Sequence, residues 1–141
     1  MKLSSHSIKN VKLAAGQIAV WYLGQEGLLI KKGDHFLAVD PYLSDYVDRN
    51  CCQFVKWERK YAPPISAEEL AEIVDVVICT HSHFDHADPD TLSVIAENNK
   101  DTIFVVPAPE KMQIASYGIE SARIIGAKAD ERLSVESFDI I

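Results

Sequence analysis

The chain has 141 residues, 48% of them hydrophobic, and 21 acidic against 14 basic side chains give it a formal charge of -7. That length accommodates one domain of ordinary globular composition. The acidic balance removes any electrostatic reason to expect a nucleic acid or an anionic membrane as partner. No stretch reaches the roughly 20 predominantly apolar residues of a membrane span; Gln17, Gln25 and Glu26 break up the apolar region from Leu13 to Ile30. Lys2, Lys9 and Lys12 are scattered with no unbroken apolar segment behind them, so no signal peptide is read and a cytoplasmic location is expected. Cys51, Cys52 and Cys79 lack a disulfide or metal-site spacing and are expected as three reduced thiols.

In chain order, residues 1–16 carry little pattern and are set apart as an N-terminal tail; residues 17–141 form the domain. Three β-like runs follow, Gln17 to Leu23, Gly27 to Lys31 and His35 to Val39. Gly24-Gln25-Glu26 and Lys32-Gly33-Asp34 between them have turn composition, so an antiparallel meander is predicted. Asp40-Pro41 ends the third run, because proline lacks the amide that would continue the ladder. A long polar and aromatic stretch runs from Tyr42 to Pro64. Ser66 then caps a short helix, with Glu69 placed to close a capping box.

The run Val74 to Cys79 is dense in β-branched residues and reads as a strand buried on both faces. Asp88-Pro89-Asp90 is a helix start, with Asp88 as N-cap, Pro89 at the first position and Asp90 complementing the dipole; this helix is expected to reach Asn98. Thr102 to Val106 is a further strand, Pro109 to Tyr117 a helix stopped by Gly118, Ala122 to Ile125 a short strand, and Arg132 to Glu136 with Phe138 to Ile141 a hairpin. Alternating strands and helices imply right-handed parallel crossovers. The fold class is α/β (α+β), a mixed sheet with helices on one face.

Between the buried strand and the capped helix lies Thr80-His81-Ser82-His83-Phe84-Asp85-His86. Neither a helix nor a strand turns His81, His83, Asp85 and His86 toward one point; a curled loop does. The loop sits at the carboxyl end of a predicted parallel sheet, where α/β proteins place their ligands. Three imidazoles and a carboxylate suit a borderline divalent ion such as zinc, manganese or iron. The plainer reading is a histidine-rich surface turn. It is disfavoured because three of the five histidines fall in this one loop, interleaved with Asp85. His6 and His35 are read as solvated residues.

This segment resembles the HxHxDH signature of the metallo-β-lactamase superfamily. Trp21-Tyr22-Leu23-Gly24-Gln25-Glu26-Gly27, Val39-Asp40-Pro41-Tyr42-Leu43-Ser44-Asp45 and Pro63-Pro64-Ile65 make it similar to the branch containing L-ascorbate-6-phosphate lactonase, from about Ile18 onward. The resemblance implies half of an αββα sandwich. It implies one metal on His81 and His83, a second on Asp85 and His86, and Asp40 behind them as the carboxylate that orients ligands. The chemistry it implies is metal-assisted hydrolysis. A bound ion lowers the pKa of water from 15.7 to about 7, giving hydroxide at neutral pH, and Asp85 is placed to orient that water or accept its proton. The implied substrate is a small molecule, the lactone of a phosphorylated sugar acid, with Arg49, Lys56, Arg59 and Lys60 as candidate phosphate contacts.

The family's second half supplies further ligands that this sequence does not contain, so the 141-residue chain is expected to be truncated and inactive alone. A lone half-sandwich leaves one sheet face bare, which predicts a homo-oligomer or completion by the missing half. Two other readings stand beside the lactonase: a nuclease or phosphodiesterase of the same superfamily, and a non-catalytic metal-binding or assembly module.

Overall fold

The computed structural model describes residues 2–51 and 58–141. The N-terminal segment is more ordered than its composition suggests. Residues Ser5–Lys9 form helix α1, capped by a reciprocal pair in which Ser7 N donates to Ser4 Oγ and Ser4 N donates to Ser7 Oγ, both at 3.2 Å. Its Ile8 is 1% exposed within the main core. Lys31, itself 5% exposed, donates from Nζ to Lys9 O and Val11 O at 2.8 Å. A cation at the carbonyl-rich end of a helix is favourable, and it fastens this segment to the sheet.

The predicted meander forms from β1 (Ile18–Gly24), β2 (Gly27–Lys32) and β3 (His35–Val39), paired antiparallel with Leu29 opposite Trp21 and Ala38. Helix α2 covers Tyr46–Asn50 and α3 covers Ala67–Ala71, where Ser66 Oγ accepts from Glu69 N at 3.2 Å, one half of the expected capping box. Strand β4 (Val76–Ile78), helix α4 (Pro89–Asn98), β5 (Ile103–Pro107), helix α5 (Lys111–Ala115) and β6 (Ile124–Ala127) complete a sheet of order β1-β2-β3-β4-β5-β6. The last three pairings are parallel, so the sheet is mixed, as its alternating elements require.

Among the boundaries that differ from those read in sequence, two are displaced by 3-10 turns. The helix expected from Pro109 begins as a 3-10 turn at Ala108–Glu110 before α5. The strand expected from Ala122 starts at Ile124, because Ser121–Arg123 wind into a 3-10 turn that aims Arg123 inward. The Arg123 guanidinium, 8% exposed, donates to the carbonyls of Thr102, Ala96 and Asn99 and lies 5.3 Å from the Phe104 ring centroid. Burial lowers its pKa. Three loop and helix-end carbonyls thereby gain a buried donor, Ala96 O sharing Arg123 with Lys100 Nζ.

Side chains alternate across the sheet. One face, carrying Leu29, Ala38, Val77 and Phe104, packs with Leu70, Leu92, Ile95 and Ile114 of the helical layer. The opposite face carries Leu37, Val76 and Val105, and it is not bare as expected for a half-sandwich. The hairpin of β7 (Leu133–Val135) and β8 (Phe138–Ile140) folds onto it, burying Val135 and Phe138. Lys32 Nζ donates to Ser137 O at 2.6 Å and helps hold the hairpin there. The cover is partial. Ile18, Val20 and Tyr22 of β1 remain 57%, 53% and 64% exposed.

Cys51 is exposed and Cys79 is 1% exposed at the end of β4, where burial pushes its thiol far above the ordinary range. Cys52 lies outside the described residues. A thiolate is the reactive species, so brief alkylation of the native chain is expected to modify Cys51 and spare Cys79. Peptide mass spectrometry checks this; equal labelling of the two would contradict the burial of Cys79.

Candidate metal centre

Three loops meet at the carboxyl ends of the parallel strands: the one after β3, which opens with Asp40; the one after β4, which holds the histidines; and the 3-10 turn after β5. The histidine loop curls because His86 N and Ala87 N both donate to His83 O, at 2.9 and 2.7 Å. Phe84 anchors it against Tyr46 of α2, ring centroids 5.0 Å apart. Beyond it, Asp88 is fully buried and accepts from Ser44 N, Ser44 Oγ, Asp90 N and the Thr91 hydroxyl. Burial raises the Asp88 pKa, opposed by the hydrogen bonds from Thr91 and Ser44. This cap joins the start of α4 to the segment after Asp40, so both sides of the loop share one support.

The rings converge. His81 lies 4.6 Å from His83 and 3.9 Å from His86, centroid to centroid. His86 Nδ1 is 2.8 Å from Asp40 Oδ2, and His86 Nε2 is 4.0 Å from Asp85 Oδ2. Asp40 is 3% exposed and occupies the left-handed region at φ 44°. Its Oδ1 accepts from Thr80 N and its Oδ2 from Thr80 Oγ1, both at 2.7 Å.

These contacts assign protons. A carboxylate only accepts, so His86 carries its hydrogen on Nδ1 and turns the bare Nε2 outward. The Thr80 hydroxyl spends its single hydrogen on Asp40, so it accepts from His81 Nδ1, 3.1 Å away. Two imidazoles are thus held in the Nδ1–H tautomer with Nε2 available. A carboxylate fixing the tautomer and ring orientation in this way is the usual support for a metal-ligating histidine. A divalent ion therefore fits this donor set.

Of the four ligand residues read in sequence, Asp85 and His86 join a three-residue group whose ligand atoms all lie within 4.8 Å of one another. The third member is Glu26, from the turn between β1 and β2, which sequence reading passed over as turn composition. His81 and His83 stand beside this group through ring contacts. Thr80 is a second omission; only its place at the head of the histidine loop marked it. His35 sits at the far end of β3 from Asp40, its Nδ1 3.7 Å from Asp75 and 3.6 Å from Glu136, and His6 Nε2 lies 3.0 Å from Asn10. Neither approaches the loop. Among the described residues no helix is long and apolar enough to cross a membrane.

A mixed sheet with helices on one face, carrying histidines at its parallel strand ends, is the architecture of half a metallo-β-lactamase fold. The chain belongs to that superfamily: residues 19–135 match the family model for the beta-lactamase superfamily domain. It is 25% identical over 127 residues to an uncharacterized protein of Mycobacterium tuberculosis, covering 90% of this chain and 33% of that one. It is 28% identical over 105 residues to the N-acyl-phosphatidylethanolamine-hydrolyzing phospholipase D 1 of Caenorhabditis elegans, covering 74% and 28%. The fold is shared with a possible metal-dependent hydrolase from Veillonella parvula, TM-score 0.61 at 22% identity, covering 80% of this chain and 42% of that structure. The chain spans about a third of the length of the curated relatives it matches.

Proposed function

We propose that this chain is the metal-binding part of a metal-dependent hydrolase, with His81, His83, Asp85 and His86 as ligands and Asp40 holding them in place. The observation that carries the reading is the Asp40–Thr80 network, which fixes the Nδ1–H tautomer of His81 and His86 and leaves both Nε2 atoms free to ligate. A zinc or manganese ion, when bound, polarises the group under attack and lowers the pKa of water. The chain's own contribution is to orient the donors and to supply Asp85, 46% exposed, as a carboxylate able to orient that water or take its proton.

For the substrate, we take the lactone of a phosphorylated sugar acid, on the resemblance of the segments around Gly24 and Asp40. The cationic candidates differ in how well they support it. Arg49 is engaged by Asp45 at 2.6 Å and by Asp90, and Lys56 lies outside the described residues. Arg59 and Lys60 line an open cleft with Lys2, Tyr22, Gln25 and Tyr61, adjoining the turn that carries Glu26. The Arg59 guanidinium donates to Tyr42 O and stacks 4.5 Å from the Tyr42 ring centroid, a fixed position suited to a phosphate. A phosphodiester substrate is the second reading, favoured by the similarity to a phospholipase D.

The test begins with zinc titration of the purified chain, where saturable binding lost in His86→Ala is expected. Hydrolysis of sugar lactones and of an activated phosphodiester is then compared with and without chelator. Little or no turnover is expected of the 141-residue chain alone, and any that is measured is expected to be chelator-sensitive and to favour lactones. Preference for the phosphodiester replaces the substrate reading. A chain that binds no zinc sinks the metal centre itself.

A further inference from the structure

We infer that Glu26 is an additional ligand of the ion position formed by Asp85 and His86, so that the turn between β1 and β2 is part of the metal centre. This deepens the metal-dependent reading above and rests on it. The ligand atoms of Glu26, Asp85 and His86 lie within 4.8 Å of one another, within reach of a single cation. The orientation of His86 within this group agrees. His86 Nδ1 is occupied by Asp40, which leaves Nε2 as its ligating atom, and Nε2 is the atom that faces Asp85.

The turn is seated there by backbone contact. Gln25 and Glu26 are the two residues between the paired Gly24 and Gly27, with Gln25 at φ 53° and its carbonyl accepting from the Tyr22 hydroxyl at 2.6 Å. Gly27 has no room for a side chain: an added Cβ would stand 3.1 Å from Asp40 O and 3.1 Å from Leu23 Cβ. The same Asp40 that orients His86 from below thus carries the turn on its backbone. Glu26 and the histidine loop approach the ion position from two sides of one support.

Charge argues in the same direction. Two carboxylates this close repel unless a positive charge lies between them. Among the described residues neither Glu26 nor Asp85 has a lysine or arginine ion-pair partner. A divalent cation with two carboxylates and a neutral imidazole is electrically balanced. An exposed glutamate in a hairpin turn is ordinarily just solvated, and the measurement must exclude that.

Zinc affinity is measured by competition with a chromophoric chelator for the wild-type chain, Glu26→Gln, His86→Ala and the helix-surface control Glu97→Gln. Cobalt substitution follows the ligand field directly. Glu26→Gln is expected to weaken binding by about tenfold or more and to alter the cobalt spectrum, while Glu97→Gln matches wild type. Circular dichroism confirms that the exposed substitution leaves the fold intact. Glu26→Gln within about twofold of a wild type that binds zinc overturns the role of Glu26 and leaves the histidine centre standing. A wild-type chain that holds no zinc overturns both.

Discussion

Asp40→Asn is expected to fold normally and to lose about 10–100-fold in zinc affinity, the range typical for removing a carboxylate that orients a metal-bound histidine. Asparagine is the discriminating choice because it tolerates the left-handed backbone of position 40 at φ 44° better than most residues. It also keeps one oxygen to accept from Thr80. What it cannot keep is the second acceptor: with its oxygen facing Thr80 N, its amide nitrogen takes the place of Oδ2 and meets both the Thr80 hydroxyl and His86 Nδ1, which lose their shared acceptor. The imidazole is then free to carry its hydrogen on Nε2, the atom needed for ligation. Asp40→Ala removes every acceptor and adds an unfavourable backbone conformation, so it is expected to lose thermal stability as well, each buried donor left unsatisfied costing about 1–3 kcal/mol. Zinc competition and thermal melts measured on the same samples separate the two effects. An Asp40→Asn chain with wild-type affinity would refute the orienting role.

The largest effect on stability is expected from Phe104→Ala. Phe104 is fully buried on β5, the penultimate strand of the sheet, in the same cluster as Leu92, Ile95 and Ile114, and the Arg123 guanidinium lies over its ring. Truncating a buried phenylalanine costs about 3–5 kcal/mol, a large share of the roughly 5–15 kcal/mol that holds a domain folded. The loss has two sources here, the cavity itself and the removal of the aromatic face under a buried cation. Urea unfolding should show a lower midpoint, with Phe104→Leu retaining most of the stability because it fills much of the same volume. A Phe104→Ala loss below about 1 kcal/mol would mean that the helical layer closes over the site without strain.

The fold was legible where local pattern and tertiary role coincide. Strands β1 to β3 alternate around good turn residues, and α4 begins at an N-cap, a proline and an acidic residue in the right order. Helix α1 was not legible: its cap uses Ser7 in place of the usual glutamate or glutamine, and a single apolar residue, Ile8, marks the side that packs. The hairpin β7–β8 was visible as a hairpin, but nothing in its sequence says that it lies on the sheet face opposite the helices. Arg123 fell inside the strand read over Ala122 to Ile125, and only the three carbonyls around it explain its burial.

The candidate site divides in the same way. His81, His83, Asp85 and His86 announce themselves by crowding into one short segment. Glu26 is remote from them in sequence and reaches them only through the approach of Gly27 to the Asp40 backbone. Thr80 looks like any residue at a strand end until its hydroxyl is seen between Asp40 and His81.

Asp40 and Thr80 terminate neighbouring parallel strands, and Asp40 N also donates to Ile78 O at 2.9 Å. The anchor at the head of the histidine loop, Thr80 held on Asp40, is therefore set by the pairing of two neighbouring strands. Ser44 and Tyr46 brace the histidine loop through Asp88 and Phe84, so the segment after Asp40 can be reshaped without moving the donor atoms only beyond those two residues.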